Sequence, residues 1–266
     1  SELDENFIRH RILNSLRMYN KKYRDRYGRM VIACDSRSWR SEVYPQYKAS
    51  RKKKRSKSTF DWKLFYKIVD VVRDEIKEFL PYPVIKVERA EADDIIGTLA
   101  LKSQEFGQHE EILIISSDKD FIQLQQFSNV KQFSPYLGKF IEDIDPHKYL
   151  FEHICRGDSG DGVPNILSAD NVFVDGIRQT PIRKKKLEEW WDNRKNLEDF
   201  LDDETWKNFN RNDTMVNLRK IPEEIPQKIF KQIGEQYSKD NKKIFNYLIT
   251  KKCPLLAEAT QEFFTL

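Results

Sequence analysis

Residues 112–121 read ILIISSDKDF: four aliphatic side chains, two serines, then two aspartates separated by one lysine. A continuous apolar run of that length, bounded by polar residues, marks a strand buried on both faces, as in a parallel sheet. The pattern recurs along the chain. Residues 30–34 (MVIAC) end on Asp35, and residues 84–87 (VIKV) precede Glu91, Asp93 and Asp94, which open a helical stretch from 90 to about 106. Residues 130–133 read as a fourth strand. Apolar residues keep helical spacing from 3 to about 27, stopped by Gly28, and over 61–80, closed by Pro81 and Pro83. A further short helix is expected near 118–125. Strands alternating with helices predict an α/β fold, a parallel sheet flanked by helices. After about Tyr149 the strand signal fades into helices, turns and charged segments, which sets a boundary near residue 150.

In such sheets ligands gather beyond the carboxyl ends of the strands. Three separate segments therefore deliver carboxylates to one edge: Asp35; Glu91, Asp93 and Asp94; Asp118 and Asp120. Carboxylates so close oppose one another's ionisation. A divalent cation resolves the crowding, and oxygen ligands without His or Cys favour a hard ion, magnesium or manganese, over zinc. A cluster this rich has room for two ions about 4 Å apart, as in phosphoryl-transfer enzymes. Taken singly, each residue has a plainer reading. Asp118 can be a helix N-cap, and Asp120, Glu91, Asp93 and Asp94 can complement helix dipoles in first turns. Asp35 can sit in a turn, and Asp158 and Asp161 of GDSGDG in a loop. Only the joint placement favours metal.

Net charge is +4, yet the charges are segregated: 51–57 reads RKKKRSK, whereas the carboxylates bunch elsewhere. A basic arm beside acidic knots suits a polyanion held near bound cations. Around that arm Tyr44, Tyr47, Lys48, Arg51, Lys52, Lys53, Lys54 and Arg55 interleave aromatics with cations, a pattern that neutralises phosphates and stacks unpaired bases. The alternative is a solvated loop, and the whole stretch from Asp35 to about Phe60 reads as too charged to pack as core. Arg183, Lys184, Lys185 and Lys186 form a second basic tract, either a grip on duplex phosphates or a solvated helix face. Trp190 and Trp191 read as core rather than as a stacking platform. The four histidines are dispersed and carry no assignment. Three scattered cysteines (Cys34, Cys155, Cys253) offer no zinc site and point to a reducing compartment. No apolar run approaches membrane-spanning length and no signal peptide is visible, so a soluble intracellular protein is expected.

The segments EADDIIGTLA (91–100), SSDKDFIQL (116–124) and GDSGDGVPN (157–165) together resemble the flap endonuclease and 5′-nuclease family. WRSEVYPQYKASR (39–51) resembles its helical-arch motif, and IRHRILNSL and VKQFSP are similar to its T-even phage ribonuclease H branch. The resemblance implies a Rossmann-like (PIN-like) domain over 1–150 with a helical arch at about 36–60, and a mostly helical DNA-binding subdomain over 151–266. It implies magnesium-dependent hydrolysis of phosphodiesters from a 5′ end on flaps, nicked duplex or RNA–DNA hybrid, removing RNA primers and adjacent DNA in replication. By the same resemblance Asp35, Glu91, Asp93 and Asp118 form one metal group, supported through water by Asp94. Asp120, Asp158 and Asp161 form the other. The cofactors implied are two magnesium ions, with manganese as a substitute. Lys48 is implied to contact the scissile phosphate, assisted by Arg40 and Arg51. Analogy adds a single-stranded-DNA-binding protein and a sliding clamp as partners of a monomer, in the host cytoplasm for a phage-encoded chain.

The sequence departs from the family pattern twice. The family's first metal aspartate lies on a strand ahead of the position where Ser1 falls, so weak activity is expected. Its Gly-rich hairpin after GDSGD is reduced here to Gly162 and Gly176. Two other readings compete: a DNA-structure-binding protein of the same fold with impaired catalysis, and a PIN-type ribonuclease. The arch and GDSGD segments weigh against the second.

Overall fold

The computed structural model describes residues 3–56 (the side chains of 52–54 and 56 excepted), 58–238 and 243–264. In chain order the elements begin α1 (Glu5–Tyr27), β1 (Ile32–Ala33), α2 (Arg40–Val43), α3 (Ala49–Ser56), α4 (Trp62–Phe79), β2 (Val84–Ile85) and α5 (Ala92–Lys102). Then come β3 (Ile112–Ile115), a 3-10 helix (Lys119–Gln126), β4 (Val130–Ser134), β5 (Lys139–Ile141), α6 (Pro146–Arg156), α7 (Val172–Asp175) and α8 (Lys184–Asp192). A 3-10 turn (Arg194–Phe200), α9 (Asp203–Val216), α10 (Glu224–Gln236), α11 (Ile244–Thr250), α12 (Pro254–Glu258) and a final 3-10 turn (Thr260–Phe263) complete the chain. Among the described residues no helix is long and apolar enough to cross a membrane, and the three cysteines are free.

The chain divides into two compact units, each discontinuous in sequence. The first comprises residues 1–35, 58–87 and 227–266. Here α1 begins where the Asp4 carboxylate accepts from the backbone N–H groups of Asn6 and Phe7, and ends at Gly28 with φ 69°. Ile68, Val72 and Ile76 recur every fourth residue on α4 and meet Leu13, Leu80, Leu248 and Phe263 in one core. β1 and β2 pair in parallel, Ile32 opposite Val84. Glu75 is the one carboxylate on the buried face of α4. It accepts from Arg9 Nε (2.7 Å), Arg9 Nη2 (2.9 Å) and the Tyr247 hydroxyl (2.7 Å), and pairs with Lys251 Nζ (2.7 Å).

The second unit comprises residues 36–57 and 88–226. β3 and β4 pair in parallel, Ile112 opposite Val130, whereas β5 returns antiparallel to β4 through a turn at Gly138 (φ 64°). The expected run of parallel strands is therefore found as two separate pairings, and the antiparallel edge was not foreseen. The charged stretch after Asp35 also needs correction. Trp39, Tyr44 and Tyr47 are all buried, and the two tyrosines pack on Ile154, Val163, Met215 and Val216. Their partners lie more than a hundred residues away in sequence, beyond the reach of local patterning. Trp190 is core, beside Phe151, Leu187 and Leu197, with Trp191 edge-on to Phe151, as expected. Asp145 caps α6, and Gly157 ends it with φ 66°. A Cβ at Gly157 would lie 2.4 Å from the carbonyl oxygens of Val163 and Pro164, so only glycine lets the chain turn into the GDSGDG loop here.

Candidate active site

The second unit builds its acidic cluster from α5, the segment after β3, and the loop after α6. Glu91 and Asp94 open α5 as a capping box, the Glu91 N–H donating to Asp94 Oδ2 at 2.9 Å. Arg40 neutralises both. Its guanidinium donates to Asp94 Oδ1 (2.8 Å) and Oδ2 (3.1 Å), to Glu91 Oε2 (3.0 Å) and, through Nε, to the carbonyl of Met215 (2.7 Å). Arg40 is only 2% exposed and Asp94 is fully buried. Arg40 was expected to assist Lys48 at the scissile phosphate. Its donors are engaged by buried carboxylates and a carbonyl, so it pins the root of the arch segment to α5. Asp94 likewise faces Arg40.

Lys48 and Arg51 stand on the next step outward. Lys48 holds a left-handed backbone, φ 57°, where its N–H donates to the carbonyl of Asp161 at 2.7 Å. Its Nζ pairs with Glu91 and lies 3.5 Å from Asp161 Oδ2, while Arg51 pairs with Asp161 Oδ1 and donates to the carbonyl of Gly160 at 3.0 Å. The Tyr47 hydroxyl lies 2.8 Å from Glu91 and 3.1 Å from Asp161. Burial opposes a charged Glu91, yet Lys48, Ser38 and Arg40 together hold its carboxyl below the usual range. Burial works against a charged Lys48 too, but Asp161 and Glu91 raise its pKa. Asp161 stays above its ordinary value, since burial and Asp158 outweigh Lys48 and Arg51.

The remaining carboxylates have no such partners. Among the described residues Asp93, Asp118 and Asp158 form no ion pair with Lys or Arg, and Asp120 faces only His153, at 3.0 Å. Burial, then Asp118, Asp120 and Glu91, push the Asp93 carboxyl up to about 8. Asp118 is raised by partial burial and by Asp120 and Asp158, even though it also caps the 3-10 helix by accepting from the Asp120 N–H at 3.0 Å. The cap reading and the cluster reading therefore hold together. A cavity of about 10 Å³, room for a single ion or water, is lined by Asp93, Asp120, Asp158 and Asp161, and an open cleft by Asp118, Asp120, His153 and Asp158. Asp120, His153 and Asp158 place one donor atom each within 4.8 Å of the others. Carboxylates converging on a cavity of ionic size, three of them without a Lys or Arg partner and one beside a solvent-shielded imidazole nitrogen, suit a divalent cation.

His153 is the residue that sequence reasoning missed. Its only signal was its place one turn before Gly157 on a helix leading into GDSGDG. The other expected residues fall as follows. Asp35 is exposed and follows β1 in the first unit, so it is not one of the carboxylates gathered within the second. Tyr44 and Tyr47 are corrected from stacking residues to core: the Tyr44 hydroxyl donates to the carbonyl of Asp170 at 2.7 Å, and both rings are buried. Lys52, Lys53 and Lys54 lie on α3, but their side chains lie outside the described residues; Arg55 is exposed. Arg183, Lys184, Lys185 and Lys186 are all exposed at the start of α8.

A family model described as the 5′-3′ exonuclease, N-terminal resolvase-like domain, matches residues 6–151. The chain belongs to the 5′-3′ exonuclease family. A second model, the C-terminal region of T4 RNase H, matches residues 146–263. Relatives of this chain include the ribonuclease H of Enterobacteria phage T4, 30% identical over 98% of this chain and 88% of that protein. The flap endonuclease Xni of Shewanella sp. strain MR-4 is 31% identical over 50% of this chain and 49% of its own length, so the chain spans about half of that relative. The T5 5′-exonuclease with zinc ions bound shares the PIN-like α/β fold with a TM-score of 0.57 and 17% identity, covering 84% of this chain and 90% of that one.

Proposed function

We propose that this family member is a divalent-metal-dependent 5′-nuclease that hydrolyses phosphodiesters near the 5′ ends of nicked or branched duplex DNA and of RNA–DNA hybrids. The observation that carries this is the division of the acidic cluster. One half (Glu91, Asp94, Asp161) is matched by Arg40, Lys48 and Arg51, while Asp93, Asp118, Asp120 and Asp158 are left without a basic partner except His153. A binding protein has no physical reason to keep that unmatched half.

Two magnesium ions, or manganese in their place, would supply an activated water and charge neutralisation at the phosphate. Asp93 and Asp118, with Glu91 alongside, are proposed for one ion; Asp120, Asp158 and Asp161 for the other. Lys48 and Arg51 form the cationic edge, exchanging their carboxylate partners for the scissile phosphate when substrate and metal enter. Arg40 holds Lys48's segment in place from beneath. Lys52, Lys53, Lys54 and Arg55, and separately Arg183, Lys184, Lys185 and Lys186, are proposed to hold backbone phosphates. On this reading residues before about 150 carry most of the nuclease chemistry and those after it the duplex grip. The protein would act inside the cell as a monomer, alongside a single-stranded-DNA-binding protein and a sliding clamp. The test is a 5′-labelled nicked or flapped duplex incubated with magnesium, then with EDTA. Short labelled products that vanish on chelation are expected; binding without cleavage in magnesium would overturn the reading.

A further inference from the structure

His153 offers chemistry that the carboxylates do not. Its imidazole sits on α6 with its ring near-parallel to that of Tyr149 one turn earlier, at 6.1 Å between centroids and 29° between planes. Nε2 lies 3.0 Å from Asp120 Oδ1, yet it is shielded from solvent and makes no aligned hydrogen bond. Asp158 completes a triangle of donor atoms, all within 4.8 Å of one another. Two ligands at right angles around an octahedral ion, each about 2.1 Å from it, stand about 3.0 Å apart. The Nε2–Oδ1 spacing is thus the spacing of neighbouring ligands on one ion.

We infer that His153 is a direct ligand, with Asp120 and Asp158, of one divalent ion, and that its nitrogen makes this position prefer manganese to magnesium. Oxygen-only sets suit magnesium, whereas imidazole favours first-row transition ions, and manganese accepts both donor types. The inference rests on the proposed metal-dependent site and adds to it which ion one position selects. The plainer alternative is an imidazolium that only balances Asp120 and never touches metal.

Pulsed electron paramagnetic resonance of the full chain loaded with manganese separates the two. Wild type is expected to show hyperfine coupling from a directly bound nitrogen, and His153→Gln to lose it. In calorimetric titration the same variant should weaken manganese binding about 10-fold or more while changing magnesium binding less than about 2-fold, the order seen when a metal centre's histidine is disturbed. Manganese bound without nitrogen coupling, or with coupling that survives in His153→Gln, would overturn the inference and leave the nuclease reading standing. Absence of any stoichiometric manganese binding would overturn the inference too, and magnesium-dependent cleavage then decides separately whether the nuclease reading falls with it. The wild-type spectrum needs no variant, so a misfolded His153→Gln does not blunt the test.

Discussion

Lys48 occupies a backbone conformation that non-glycine residues rarely take, and the Asp161 carbonyl and the Glu91 carboxylate hold it there. Strain of this kind, on the order of 1 kcal/mol or more, persists where surrounding contacts over-determine the geometry. A charge so placed acts mainly on the reacting phosphate in the transition state. Lys48→Ala should therefore lower kcat about 10²–10³-fold while Kd for nicked duplex moves less than about 3-fold. Single-turnover kinetics beside a binding titration check this, and unchanged turnover would remove Lys48 from the chemistry. Arg40 is the opposite case. Arg40→Met leaves Asp94 buried without its counter-charge and Glu91 with Lys48 alone, which should cost about 3–5 kcal/mol. A urea midpoint that barely moves would show that those carboxylates are not held as charged groups by Arg40.

At the level of elements, α1, α4 and α11 meet around Glu75. Burial opposes its charge, but Arg9, Lys251 and Tyr247 hold its carboxyl below the usual range. A carboxyl depressed in the folded state adds stability above its unfolded pKa, and that stability is lost as pH falls through the folded value. Wild-type Tm should thus drop between pH 5 and 3 by more than that of Glu75→Gln, which starts lower; parallel melting curves would contradict this. The start of α8 carries Arg183, Lys184, Lys185 and Lys186, all exposed. If all four contact phosphates, replacing them with alanine should flatten the slope of log affinity against log salt by up to about 3.6. An unchanged slope would return them to the solvated helix face. α4 and β3 were readable in sequence because their causes are local: the period of Ile68, Val72 and Ile76, and the apolar run 112–115. β5 was not, since three residues with little burial carry no periodic signal.

Across the whole molecule, Glu91, Asp93, Asp118 and Asp120 were legible because each follows or opens an element that announces itself, as Asp118 does after β3 and Glu91 before α5, whereas Asp158 and Asp161 read as a loop until the resemblance joined them. What was misread depended on distant partners. Tyr44 and Tyr47 sit among lysines in sequence but pack against Ile154, Val163 and Met215. Arg40 was expected to assist Lys48 at the phosphate, but Asp94 and the Met215 carbonyl hold its donors. His153 gained meaning only when α6 brought it to Asp120. All of these point to one electrostatic asymmetry, a set of carboxylates matched by Arg and Lys beside a set without such partners. The Asp93 carboxyl reports on it directly, being raised to about 8 by burial and by its acidic neighbours. Side-chain carbon NMR of labelled Asp93 should show titration near 8 in EDTA and well below neutrality in saturating magnesium. Titration in the ordinary aspartate range under both conditions would mean that the carboxylates are not crowded and no ion relieves them.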